Sequence, residues 1–155
     1  MIRQLLYRSG QLYEFTTAEM VRLLRQSRDD NARDGIGGML LSQDGLFMQL
    51  LEGPAVAVDA LYARIASDPR HCEVRLLVRG ERRMPLLPGW SMAWAESPAD
   101  GEAPAFAGLE TDRTALGLLE AAARDPVAAA MRAFLRGAPV PGGGLGCAKV
   151  MERVL

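Results

Sequence analysis

Two apolar runs, Met39 to Ser42 and Leu46 to Glu52, are separated only by Gln43-Asp44-Gly45. An Asp-Gly pair between such runs is a strong hairpin signal, because glycine accepts the positive φ that a tight turn demands. A hairpin in mid-chain leaves each strand in need of further partners, so its flanks decide the fold class. Before it, Thr16-x-x-Glu19 has the spacing of a capping box, and Met20, Leu23, Leu24 and Ser27 form one helical stripe that ends near Asp29-Asp30-Asn31. Residues 2–8 precede that helix as an opening strand, with Leu5 and Tyr7 on one face. After the hairpin, Val58, Leu61, Tyr62 and Ile65 repeat the helical spacing between Gly53-Pro54 and Asp68-Pro69, where proline stops the helix. Val74, Leu76 and Val78 then alternate with Arg75, Leu77 and Arg79, and Trp90, Met92 and Trp94 alternate with Ser91 and Ala93, giving a fourth and a fifth strand.

The order β-α-β-β-α-β-β predicts an α+β, ferredoxin-like sheet with one added strand and two helices on one face, since such crossovers are right-handed. The first and third strands are expected as parallel neighbours, with Leu5 and Tyr7 beside Phe47, Gln49 and Leu51 on the helix-covered face. Gln49 then stands as a carboxamide in the middle of an apolar surface, and a buried amide needs partners for its donors and acceptor.

Length suits one such domain, assigned to residues 1–97, followed by a linker and helical extension over residues 98–155. Pro98 to Pro104 reads as the linker, and Thr111 to Arg124 carries a stripe at Ala115, Leu118, Leu119 and Ala122. Asp125-Pro126 opens a second helix to about Arg136, with a flexible stretch from Pro139 to Gly146 and a last short helix from Cys147 to Leu155. A net charge of −1, from 18 basic and 19 acidic residues, gives no basic excess for nucleic acid. No apolar run approaches the ~20 residues that cross a bilayer, and Met1-Ile2-Arg3-Gln4 lacks a secretion signal. Cys72 and Cys147 have no metal-ligand spacing and are read as reduced thiols of a cytoplasmic protein that holds no metal.

Tyr7, Gln49 and Asn31 together offer a phenol and two primary amides, with Leu23, Leu24 and Ser27 on one helix and Leu61 and Ile65 on the other as walls. Such a list suits a flat heterocycle rich in carbonyl and ring-nitrogen acceptors. Taken singly, each residue has a plainer reading: Tyr7 as core, Asn31 as a helix-end cap, Trp90, Met92 and Trp94 as packing, and Arg64, Arg70 and His71 as solvated surface.

The chain resembles the BLUF family through Leu6-Tyr7-Arg8-Ser9, Ser27 to Asn31-Ala32-Arg33, Gly35-Ile36-Gly37-Gly38, Phe47-Met48-Gln49-Leu50-Leu51-Glu52-Gly53, Arg64-Ile65 with Asp68-Pro69-Arg70-His71, and Trp90-Ser91-Met92. The resemblance implies a blue-light photoreceptor, not an enzyme, with FAD, or FMN, between the two helices. It makes Tyr7 the electron and proton donor to the excited flavin and Gln49 the group that reorganises. It gives Asn31 one polar ring edge and Arg64 and Asp68 the other edge or the ribityl side. Ser27, Leu24 and Ile65 join the binding set, with Arg70 and His71 near the ribityl-phosphate region. Trp90 and Met92, sharing one strand parity, report the change to the sheet, and the signal leaves by contacts with an unknown downstream protein or within a homo-oligomer. The chain departs from the family pattern at Gly37, usually threonine, where a looser loop is expected, at Asp30, and at Pro85 and Leu87 before the fifth strand. Two other readings compete: an acyl-phosphate hydrolase using Arg8 and Asn31 around a phosphate, with Ser9-Gly10-Gln11 as a thin anion cradle, and a colourless interaction module.

Overall fold

A computed structural model describes residues 1–11, 16–43, 45–69, 71–96, 106 and 109–137, with the backbone alone at positions 11 and 71. The elements run β1 (Ile2–Gln11), α1 (Thr17–Asp34), β2 (Gly37–Gln43), β3 (Leu46–Gly53), α2 (Ala55–Ala66), β4 (His71–Arg82), β5 (Ala93–Glu96), α3 (Arg113–Ala121) and α4 (Pro126–Leu135). The sheet order β4-β1-β3-β2-β5 is ferredoxin-like, with β5 added at the β2 edge. The expected class therefore holds.

The sense of one strand pair differs from expectation. β1 and β3 are antiparallel, with Tyr7 directly opposite Gln49. The hairpin reverses β3 relative to β2, while the α1 crossover makes β2 run with β1, so the strand inserted between them opposes both. The parallel pair is β2 with β5. Directly opposed residues share a face in either sense, so Tyr7 and Gln49 still meet.

α1 runs a full turn beyond its expected end. Its capping box at Thr16 and Glu19 is complete, and the helix stops only at Gly35, whose φ of 72° is the left-handed cap that glycine supplies. Asn31 thus lies inside the last turn, and its carbonyl accepts from the Gly35 N–H and from Ile36 N at 2.8 Å. Acidic residues do not end this helix; the glycine does.

β4 breaks the alternation expected of it. Its pairing with β1 shifts between Leu6 and Tyr7 and again between Arg8 and Gly10. The first shift inserts one residue, so Leu77 and Val78 both pack on the far face while Val74 packs on the helix face. β5 is also shorter than expected, and Trp90 and Met92 precede it.

Both faces of the sheet are buried. Leu5, Phe47, Leu51 and Trp94 pack under Met20 and Leu24 of α1 and Val58 of α2. Leu6, Met39, Leu41, Met48 and Leu50 pack on the far side against Ala115 and Leu119 of α3 and Val127, Ala128, Met131 and Phe134 of α4. Leu118, expected in the α3 stripe, is 36 % exposed because that short helix buries only its Ala115–Leu119 edge. Asp125 caps α4 by accepting from Val127 N and Ala128 N, with Pro126 at its start. Cys72, read as a reduced thiol, is disulfide-bonded. Asp44, the Pro98 to Pro104 linker, the Pro139 to Gly146 stretch and the helix from Cys147 lie outside the described residues.

Candidate functional site

β1 and β3 project Tyr7 and Gln49 side by side toward α1 and α2. The Tyr7 hydroxyl donates to Gln49 Oε1, and Gln49 Nε2 donates to the Met92 thioether sulfur at 3.2 Å. Sulfur is a weak acceptor, so the amide's donor side is under-used by the protein. The Tyr7 ring meets Tyr62 of α2 edge-on, with centroids 5.6 Å apart. Burial, reinforced by Tyr62 and Asp68 nearby, pushes the Tyr7 phenol above its ordinary value of 10.0, so it stays a proton donor at neutral pH.

Above this pair lies a cavity of about 240 Å³ between the two helices. Tyr7, Leu40, Phe47 and Gln49 form its floor, and Leu23, Leu61 and Ile65 its apolar walls. Gln26, Ser27, Asp30 and Asn31 line one polar side, and Arg64 and Asp68 the other. Asn31 Nδ2 donates to Ser91 O at 3.0 Å, and no described group hydrogen-bonds its Oδ1. Apolar walls for two flat faces and amide groups along an edge fit a heteroaromatic ring with peripheral acceptors.

The structure brings Tyr7, Ser27, Asn31, Gln49, Arg64, Ile65 and Asp68 to one cavity. It does not bring Leu24, which is 1 % exposed in the core behind the α1 wall; Leu23 takes the place expected of it. Arg70 lies outside the described residues, and of His71 only the backbone is described, opposite Gln11. Trp90 and Met92 do not share a face: Met92 is buried on the site side, whereas Trp90 packs against the far cluster. The period of two fails there because residues 90–92 are not in a strand, the Trp90 carbonyl accepting from Gly38 N at 3.0 Å. Gly37 does not loosen its loop either. A Cβ there would lie 2.7 Å from the Trp90 oxygen, so its absence permits close approach.

Gln26 and Asp30 were not singled out as lining residues, although they flank Ser27 and Asn31 on the same helical face. Arg28 was missed as well. It donates from Nε to Met92 O at 2.9 Å, a contact with no signal in the sequence because its partner is 64 positions away.

A family model described as BLUF, sensors of blue-light using FAD, matches residues 2–93. The chain belongs to this family. Among solved structures, this BLUF domain is similar to BlrB, a BLUF protein in its dark state, with 36 % identity and a TM-score of 0.59 over 61 % of this chain and 72 % of that one. It is also similar to Klebsiella pneumoniae BlrP1 with FMN and cyclic diGMP, with 27 % identity and a TM-score of 0.70 over 88 % of this chain and 35 % of that one. That coverage is more than residues 2–93 alone provide, so the likeness extends into the C-terminal region. Among curated proteins, the photoactivated adenylate cyclase subunit beta of Euglena gracilis is 46 % identical over 56 residues, 36 % of this chain and 6 % of that protein. The chain therefore spans a small part of its curated relatives. The domain is a photoreceptor domain of a flavin-binding family. Among the described residues, no helix is long and apolar enough to cross a membrane.

Proposed function

We propose that this BLUF domain holds the ring of FAD in the α1–α2 cavity and signals blue light by a change in the hydrogen bonds of Gln49. The observation that carries the reading is the run of contacts from Tyr7 through Gln49 to Met92 along the cavity floor. When bound, the flavin supplies light absorption and redox chemistry. The chain supplies position. Leu23, Leu61 and Ile65 exclude water from the ring faces. Asn31 and Ser27 address one polar edge, and Arg64 and Asp68 the edge or ribityl side at the mouth; Arg70 and His71 belong to the same proposed binding set.

Gln49 has two orientations with different partners. In the observed one, Oε1 faces the phenol donor and Nε2 faces sulfur. Turned over, Nε2 meets the phenol, whose hydroxyl rotates to accept, and Oε1 leaves the sulfur without a donor. The Met92 contact is therefore the part of the protein that registers the turn. Trp90, on the far face, registers it only through the segment it shares with Met92.

FAD is favoured by the family description and FMN by the BlrP1 structure, so mass spectrometry of the released cofactor distinguishes them. The purified protein is expected to be yellow, with a visible band that moves reversibly to the red under blue light. A protein that neither carries nor takes up flavin ends this reading. The competing hydrolase is disfavoured by geometry: Arg8 is 2 % exposed on the far face of the sheet, across from Asn31. A downstream protein partner, a homo-oligomeric state and a cytoplasmic location are parts of the same proposal. Relatives named for adenylate cyclase and cyclic diGMP, which depend on cytoplasmic nucleotides, support the last. Pull-downs in light and dark, light scattering and cell fractionation test the three.

A further inference from the structure

Asp112 stands at the N-cap of α3, yet its carboxylate makes no hydrogen bond to that helix. Aspartate is favoured at this position because it accepts from the N–H groups of the second and third helical residues. Asp125 does so at α4 in the same chain. Asp112 instead accepts from Trp94 N at 2.6 Å and from Arg28 Nη2 at 3.3 Å, while its own N–H donates to Trp94 O at 2.8 Å. Arg28 also holds Met92 O, and Met92 sulfur accepts from Gln49. One side chain thus links the segment leaving the site to the start of a helix, and that helix lacks the cap the same side chain is built to give.

We propose that Asp112 is a two-position cap. In the observed position it ties α3 to β5 and Arg28; in the other it leaves Trp94 and Arg28 and caps the N–H groups of Thr114 and Ala115. Each position gives the carboxylate two donors, Trp94 N and Arg28 Nη2 in one and the Thr114 and Ala115 N–H groups in the other. The balance between them therefore turns on the Arg28 pair. The Arg28–Asp112 pair is 44 % and 27 % exposed, and such pairs contribute as little as a single helix cap. The two positions are close in geometry. The Asp112 backbone, φ −73° and ψ 89°, needs only a modest turn about ψ to match the capping Asp125, φ −79° and ψ 121°. A balanced element of this kind is what a weak input can tip. The input, resting on the function proposed above, is Gln49 withdrawing from Met92, which frees the carbonyl that holds Arg28.

Amide hydrogen exchange by NMR on the full chain tests the toggle in the dark. Arg28→Gln removes the charge pair and releases Asp112 to its helix. The Trp94 amide is expected to exchange faster and the Thr114 and Ala115 amides slower, each by roughly fivefold, the factor that corresponds to a cap. All three faster, or the helix amides unchanged, overturns the proposal. Asp112→Ala, which removes both positions, should accelerate Trp94 without slowing the Thr114 and Ala115 amides. Continued slow exchange at Trp94, or slowed helix amides, overturns it too. Blue light on the flavin-loaded wild type should reproduce the opposed changes. A visible band that shifts while these amides stay unchanged overturns the link to the site and leaves the flavin reading standing. A band that never shifts, with the opposed changes intact in Arg28→Gln, supports the toggle and overturns the reading of Gln49.

Discussion

Tyr7 is placed by one strand and used by another. Its hydroxyl is buried, and its hydrogen bond to Gln49 contributes on the order of 1 kcal/mol net to stability. Tyr7→Phe should therefore leave a folded, flavin-binding protein that no longer shows the light-induced band shift. A normal photocycle in Tyr7→Phe would remove the phenol from the mechanism. Gln49→Leu should likewise bind flavin without switching, because it keeps volume and loses both partners. The Tyr7 phenol also sets a pH dependence. Burial raises its pKa in the fold above the unfolded value of 10.0, so below that pH both states keep the proton and stability is level. Above it the unfolded chain loses the proton that the fold retains, and stability falls as pH rises. Tyr62, raised by burial as well, adds a contribution of the same sign. Urea midpoints from about pH 8 to about pH 11 should show a shallower decline in Tyr7→Phe than in the wild type.

At the scale of elements, the segment between β4 and β5 is clasped from two sides. On the far face, the buried Glu52 carboxylate accepts from Gln4 Nε2, Leu86 N and Leu87 N. On the site face, Met92 accepts from Gln49 through its sulfur and from Arg28 through its carbonyl. Glu52→Ala strands buried donors and should cost about 3 kcal/mol in urea unfolding, with Glu52→Gln losing less because one oxygen remains to accept. Gly37→Thr restores the residue usual in the family but inserts a Cβ 2.7 Å from the Trp90 oxygen. The segment has to shift, and the expected result is an altered dark-recovery rate with the band shift retained. Recovery unchanged from wild type would show that the close approach at Gly37 does not set the site.

The whole molecule is a sheet covered twice, by α1 and α2 over the site and by α3 and α4 over the other face. The second cover is part of the core, not an appendage. Phe134, 1 % exposed against that face, should cost about 3–5 kcal/mol when replaced by alanine. Removing the chain after Glu96 uncovers Leu6, Met39, Leu41, Met48 and Leu50 together, and light scattering should then find self-association. A monodisperse, fully stable fragment would show that the two helices are dispensable to the sheet. α4 packs on β2 and α3 on β5, so the two helices cover the edge of the sheet next to the strand that bears Gln49.

Local rules carried far in this sequence. The capping box at Thr16, the Gly45 turn, the stripes of α1 and α2 and the Asp125-Pro126 start of α4 all depend on neighbours within a few positions, and each formed as read. So did the pairing of Tyr7 with Gln49 on one face, since alternation in two regular strands settles it. What depended on the third dimension did not show. Strand sense between β1 and β3 follows from chain routing, and the β4 bulge from a mismatch with β1. The opposite placement of Trp90 and Met92 follows from a segment pinned by Glu52, Gly38, Asn31 and Arg28. Those partners lie tens of residues away, and no periodicity in the chain encodes a contact whose two halves meet only after the sheet has closed.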